Sequence, residues 1–140
     1  MITLKIRIVL FFLMLAGATA QITFQDVTII NGVGTTSNTR GIIFTDYDGD
    51  GDEDIYLTQY GSNILYSYDK DEEEYNDVAS EANVNHSGYG YASTLGDYNN
   101  DGYIDYMMTI HGGNSNVLYY NEGETPVTFL DINDDENFNI

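Results

Sequence analysis

Two short acidic stretches carry the chemistry of this chain. The first is Asp46-Tyr47-Asp48-Gly49-Asp50-Gly51-Asp52-Glu53-Asp54, and the second is Asp97-Tyr98-Asn99-Asn100-Asp101-Gly102-Tyr103-Ile104-Asp105. Both read D-x-[DN]-x-D-G-x-x-D, with oxygen-bearing side chains at loop positions 1, 3, 5 and 9 and glycine at position 6. Carboxylates held ~5–6 Å apart repel by about 0.7 kcal/mol per pair in water and about 3 kcal/mol at an effective dielectric of 20. A divalent ion turns that repulsion into attraction, and an all-oxygen donor set suits a hard cation such as Ca²⁺.

In the first loop Asp46, Asp48 and Asp50 are expected to give one oxygen each, Asp52 its backbone carbonyl, and Asp54 one or both carboxylate oxygens. Asp97, Asn99, Asp101, the Tyr103 carbonyl and Asp105 take the same places in the second loop. Gly51 lets the backbone turn around the ion without a Cβ clash. Two Ca²⁺ sites are therefore expected. Asn99 is neutral, so the side-chain ligand charge is −3 in the second loop against −4 in the first. The first should bind more tightly, because ligand charge tunes affinity. Extracellular calcium modules often bind at ~10⁻⁴–10⁻³ M, which suits a site filled outside the cell.

An EF-hand shares the opening of this pattern but needs a bidentate Glu at position 12. Leu57 and Met108 stand there instead, both in strand-like runs. The elements that must position the loops repeat with a period of 51 residues, from Asp46 to Asp97. Phe24-Gln25-Asp26-Val27 returns as Tyr75-Asn76-Asp77-Val78, and Asn63-Ile64-Leu65-Tyr66 returns as Asn116-Val117-Leu118-Tyr119, two residues late. Gly41 to Thr45 leads into the first loop and Ile55 to Thr58 leaves it with the alternation of a strand. Ile64 to Tyr68 and Tyr75 to Val78 complete a first set of four strands. Tyr91 to Leu95, Ile104 to Ile110, Asn116 to Tyr120 and Val127 to Ile132 make the second set. Ala79 to Val84 reads as a single turn. Four antiparallel strands per repeat of this length describe a β-propeller blade. The fold class is all-β: two four-stranded propeller-type blades plus an orphan N-terminal strand, Phe24 to Thr28, forming a partial propeller. A closed ring needs at least ~4 blades, so the chain is expected to be a fragment or to stack with further copies.

The loop that closes at position 9 before a strand resembles the FG-GAP family of integrin-type propeller repeats, also called VCBS repeats, and in particular its bacterial secreted branch. The residues that carry the likeness are Phe24-Gln25-Asp26-Val27-Thr28, Gly32-Val33, Gly41, the whole Asp46–Asp54 loop, Ile55-Tyr56-Leu57-Thr58 and Asn63-Ile64-Leu65-Tyr66. The resemblance implies a calcium-binding propeller used for adhesion or for protein or carbohydrate binding, or carried as a domain of a larger secreted enzyme. Departures from the pattern are Tyr106-Met107-Met108, where small or β-branched residues are usual, and an inserted Gly112-Gly113.

The ends and the composition frame this reading. Residues 1–20 carry Lys5 and Arg7, an apolar run from Ile8 to Leu15, and Ala18-Thr19-Ala20, the layout of a cleavable secretory signal peptide. The remaining divisions are 21–40 as orphan strand and linker, 41–79 as the first blade, 80–132 as the second, and 133–140 as an acidic tail. Asp131, Asn133 and Asp135 do not make a third loop, because Glu136 stands where the glycine belongs. After cleavage only Arg40 and Lys70 stand against 23 carboxylates, a formal charge of −21. That excludes nucleic acid and anionic membrane as partners. With no cysteine, an exported domain must find its extra stability outside disulfides. The 13 Tyr and 6 Phe argue against the disorder that acidic composition alone would favour. His86 and His111 are the only histidines, lie in different blades, and have no Ser or Cys beside them in a triad-like arrangement. The expected function is thus a secreted, non-catalytic calcium-binding module with an unknown protein or carbohydrate ligand and open blade edges prone to self-association. The alternative is a piece of a propeller-bearing secreted enzyme whose chemistry lies elsewhere.

Overall fold

Alternating β-branched and aromatic residues, interrupted by Gly, Asn and Asp, give short strands joined by tight loops. In the computed structural model, which describes residues 21–29, 31–112 and 116–132, eight strands form. They are β1 (Thr39–Thr45), β2 (Asp54–Ser62), β3 (Ile64–Asp69), β4 (Glu74–Asp77), β5 (Ser87–Gly96), β6 (Asp105–Ile110), β7 (Val117–Asn121) and β8 (Phe129–Asp131). The expected signal peptide (1–20), Gly113 and the expected acidic tail (133–140) lie outside the described residues.

Each repeat is an antiparallel four-stranded unit, β1–β2–β3–β4 and β5–β6–β7–β8. The fold is the all-β, partial-propeller architecture expected from the period. One feature was not foreseen. The two units are hydrogen-bonded to each other, because the end of β2 pairs with the start of β5 through Tyr60↔Tyr89, Gly61↔Gly88 and Ser62↔Ser87. The result is one curled sheet of eight strands. Its bulges repeat with the sequence period: the register shifts between Thr39 and Gly41 on β1 and again between Gly90 and Ala92 on β5. A bulge bends and twists its strand locally, and the residues at these two points, Arg40 and Tyr91, meet, with the Arg40 guanidinium 5.8 Å from the Tyr91 ring and 4.5 Å from that of Tyr60.

The core is the space between the units. Tyr56 and Leu65, paired across β2 and β3, face Tyr106, Met108, Val117, Tyr119 and Phe129 of the second unit. The Tyr56 and Tyr106 rings lie 5.1 Å apart and the Tyr106 and Phe129 rings 4.9 Å apart, within the range of favourable aromatic pairs. Tyr106 and Met108, noted above as departures, are thus inter-unit packing, while Met107 between them points outward. Ala79, Ala82 and Val84, from the expected single turn, fill the gap below. Asn63 ties the interface together: its Oδ1 accepts from the Gln59 amide (3.1 Å), and its Nδ2 donates to the Tyr56 hydroxyl (2.9 Å) and the Met108 sulfur (3.0 Å). The Ile110 amide donates to Asn116 in the same way, so the asparagine of the repeated N-x-L-Y run is a hairpin clamp.

The orphan strand does not form. Phe24 is 96% exposed, and residues 21–27 have no ladder partner. Asp26 Oδ1 accepts instead from both the amide and hydroxyl of Thr28, a local bond that competes with sheet pairing. The Asn31 and Val33 amides then fold back onto Val27 and Thr28.

Gly90 sits where the units approach most closely. A Cβ there would lie 2.5 Å from Thr58 Cγ2 and 3.2 Å from the Gln59 carbonyl oxygen, whereas one on Gly96, on the same strand, would meet nothing within 4 Å. Gly90→Ala is expected to lower stability by about 1–3 kcal/mol, and Gly96→Ala to leave it unchanged or raise it by about 0.4–1 kcal/mol. Urea unfolding midpoints of the two variants compare these directly.

Candidate metal centre

Both acidic loops join the first two strands of their unit, so the fold places them at the same end of the sheet. Within each, the backbone makes the same two left-handed steps. Gly49 (φ 77°) and Gly51 (φ 93°) in the first loop correspond to Asn100 (φ 61°) and Gly102 (φ 94°) in the second. Asparagine tolerates that region better than other side-chain-bearing residues. Position 1 organises the turn: Asp46 accepts from the Gly49 and Gly51 amides (2.8 and 3.1 Å), and Asp97 from those of Asp101 and Gly102 (3.0 and 2.9 Å).

In the first loop, Asp46, Asp48 and Asp50 each bring a carboxylate oxygen to within 4.8 Å of the others. The cluster could hold a metal, and its donors are all hard oxygens. Burial pushes the Asp48 carboxyl above its ordinary range, and the charges of Asp50 and Asp46 push the same way. Asp52 turns its side chain outward to Lys70 (3.1 Å). That leaves its backbone carbonyl as its only candidate ligand.

The closing aspartates have a further task that the spacing alone did not reveal. Asp54 is 1% exposed, and its carboxylate accepts from the Tyr47 amide (3.1 Å) and the Tyr68 amide (2.9 Å). Asp105, equally buried, accepts from the Tyr98 amide (3.0 Å) and the Asn121 amide (2.9 Å). Each carboxylate therefore staples its loop to the third strand's far end. Desolvation raises Asp54 to about 6, against the pull of those two amides, and Asp48 and Asp50 add to the rise.

The second loop is arranged differently at its mouth. The Asn99 Nδ2 donates to Asp101 Oδ2 (2.7 Å), and the Tyr103 amide donates to Asp101 Oδ1 (2.9 Å). These bonds hold the Asp101 carboxyl below its ordinary range, the Tyr103 amide contributing most. No cluster of three carboxylates forms there among the described residues. The Tyr103 ring lies against Gly123, where a Cβ would collide with it. Between the loops runs a cleft of about 370 Å³ walled by Asp46, Asp48, Tyr103 and Glu124. His111 stacks on Tyr91 and the His86 backbone carbonyl accepts from the Asn63 amide, which places both histidines at the opposite end of the sheet.

A family model described as an FG-GAP-like repeat matches residues 46–108, from the first ligand of the first loop to the inter-unit Met108. The match supports the FG-GAP family broadly. No curated protein matches the chain.

Asp54 gives a pH signature in chelator. Its folded carboxyl binds a proton more tightly than a free aspartate, which titrates at 3.8. The stability that this tighter binding contributes is full below about 4 and is lost as pH rises through about 6. Thermal melts in chelator should therefore fall across that window. Asp54→Asn should flatten the fall, and at pH 7 cost about 1–3 kcal/mol because one side-chain oxygen cannot serve both amides.

Proposed function

We propose that the chain is a secreted calcium-binding propeller module of the bacterial FG-GAP, or VCBS, branch that serves adhesion or protein or carbohydrate binding without catalysis. The observation that carries this reading is the Asp46, Asp48 and Asp50 cluster in a loop of FG-GAP type. Asp46, Asp48, Asp50 and the Asp52 carbonyl would hold the ion, with Asp54 behind them. The ion supplies the positive charge that these carboxylates lack.

Export fits the reading in three ways. Millimolar calcium is found outside the cell, the first twenty residues have the layout of a signal peptide, and no helix among the described residues is long and apolar enough to cross a membrane. A non-catalytic role fits the placement of both histidines at the end of the sheet away from the acidic loops and the use of the loop aspartates in turn geometry. Ile42 and Phe44 on the first unit and Met107 on the second are exposed, and these are the faces on which further blades or other copies would stack.

Calcium titration tests the proposal. Millimolar Ca²⁺ should raise the melting temperature above that in chelator, and calorimetry should resolve a tighter and a weaker site. Asp48→Asn should abolish the tighter class and Asp97→Asn the weaker. Equal melting in chelator and calcium would end the reading.

A further inference from the structure

Tyr106 poses a physical problem that the packing does not solve. It is 0% exposed, and its hydroxyl is the one buried side-chain polar atom among the described residues without a hydrogen-bond partner. An unpaired buried hydroxyl is costly. The contrast is Tyr56, stacked against it across the interface, whose hydroxyl donates to the Val84 carbonyl and accepts from Asn63.

The position of Tyr106 says where its hydroxyl is aimed. Side chains on β2 alternate, so Asp54 and Tyr56 share the face turned to the second unit. The Tyr106 ring lies over Tyr56 and beside Phe129, which in turn lies 6.5 Å from the Tyr47 ring. Tyr47 stands between Asp46 and Asp48 in the first acidic loop, and Tyr56 follows Asp54 by two residues on β2. The Tyr106 ring is therefore bracketed by side chains whose neighbours are the first loop's aspartates. An ion of calcium's kind takes 6–8 oxygen ligands. With one oxygen from Asp54, the loop offers five donors (Asp46, Asp48, Asp50, Asp54 and one carbonyl), which leaves at least one place in the shell for water.

We infer that the Tyr106 hydroxyl, contributed by the second unit, is kept for a water molecule in the coordination shell of an ion held by the first unit's loop. Ion binding and inter-unit packing are then one event, because the hydroxyl finds its partner only when the loop is filled. This rests on the calcium reading above and adds a cross-unit positioning residue to it.

The test compares wild type with Tyr106→Phe and Tyr56→Phe, each melted in chelator and titrated with CaCl₂ by calorimetry. Tyr106→Phe should melt no lower than wild type in chelator, since nothing pairs with the lost hydroxyl. Its tighter calcium site should weaken about fivefold, the loss of one ordinary hydrogen bond, with the weaker site unchanged. Tyr56→Phe should do the reverse, melting lower in chelator with calcium affinity retained. A wild-type calcium response that Tyr106→Phe preserves in full overturns the inference while leaving the calcium reading intact. A Tyr106→Phe that melts lower in chelator also overturns it, by showing that the hydroxyl already has a partner. No response in wild type overturns both.

Discussion

A buried carboxylate that accepts two backbone amides from different segments is the constraint on which this structure turns. Asp54 ties Tyr47 to Tyr68, and Asp105 ties Tyr98 to Asn121. Without such a tie, an acidic hairpin loop of nine residues would splay under its own charge. With it, the loop's start is fixed against the third strand, and the aspartates at positions 1, 3 and 5 are gathered in the space that remains. Charge-assisted bonds to a carboxylate are roughly twice as strong as neutral ones, which lets a single side chain hold a loop whose main apolar anchor is the ring at its second position, Tyr47 or Tyr98.

The same device has a cost, and the cost falls on the candidate ion site. A carboxylate buried this deeply resists ionisation unless something compensates its charge. In the first loop the rise at Asp54 is reinforced by its neighbours Asp48 and Asp50. The second loop relieves itself, because Asn99 turns its amide donor onto Asp101. Among the described residues, the first loop has one cation, Lys70 on Asp52, and no side-chain amide on the carboxylates at positions 1, 3 and 5, while its repeat has a donor of its own at position 3. The difference comes from one substitution in the motif, Asp48 against Asn99.

Much of this was legible in the residues. The period located both loops, and the alternation around Ile55 to Thr58 and Ile64 to Tyr68 located the strands. The turn at Ala79 to Val84 was legible too. What was not legible depends on pairs distant in sequence. Local spacing could not show that Asp54 reaches Tyr68, that the end of β2 continues into β5, or that Tyr106 stands over Tyr56. The run Phe24 to Thr28 matched its repeat at Tyr75 to Val78 yet formed no strand, because a strand exists only with a neighbour to pair with. Its own Asp26–Thr28 bond held the backbone elsewhere. The roles of Asn63 and Asn116 could have been found: the same residue recurs at the start of the third strand in both repeats, at a position where an exposed asparagine would have no reason to recur.

Interfaces between repeats are where repetition has to be broken. Asp54 and Asp105 are equivalent and equally buried, but the next two pairs, Ile55 with Tyr106 and Tyr56 with Met107, face different surroundings. The first unit's front packs on the second unit's back, so Tyr56 is covered while Met107, its counterpart, is exposed. Tyr106 is larger than its counterpart Ile55, and its ring fills the gap between the two units. Its bulk supplies the contact with Tyr56 and Phe129, which phenylalanine would supply as well. The packing therefore accounts for the ring and leaves the hydroxyl over. A polar atom that burial alone would select against is then, on the inference drawn above, explained by the first acidic loop and not by the core.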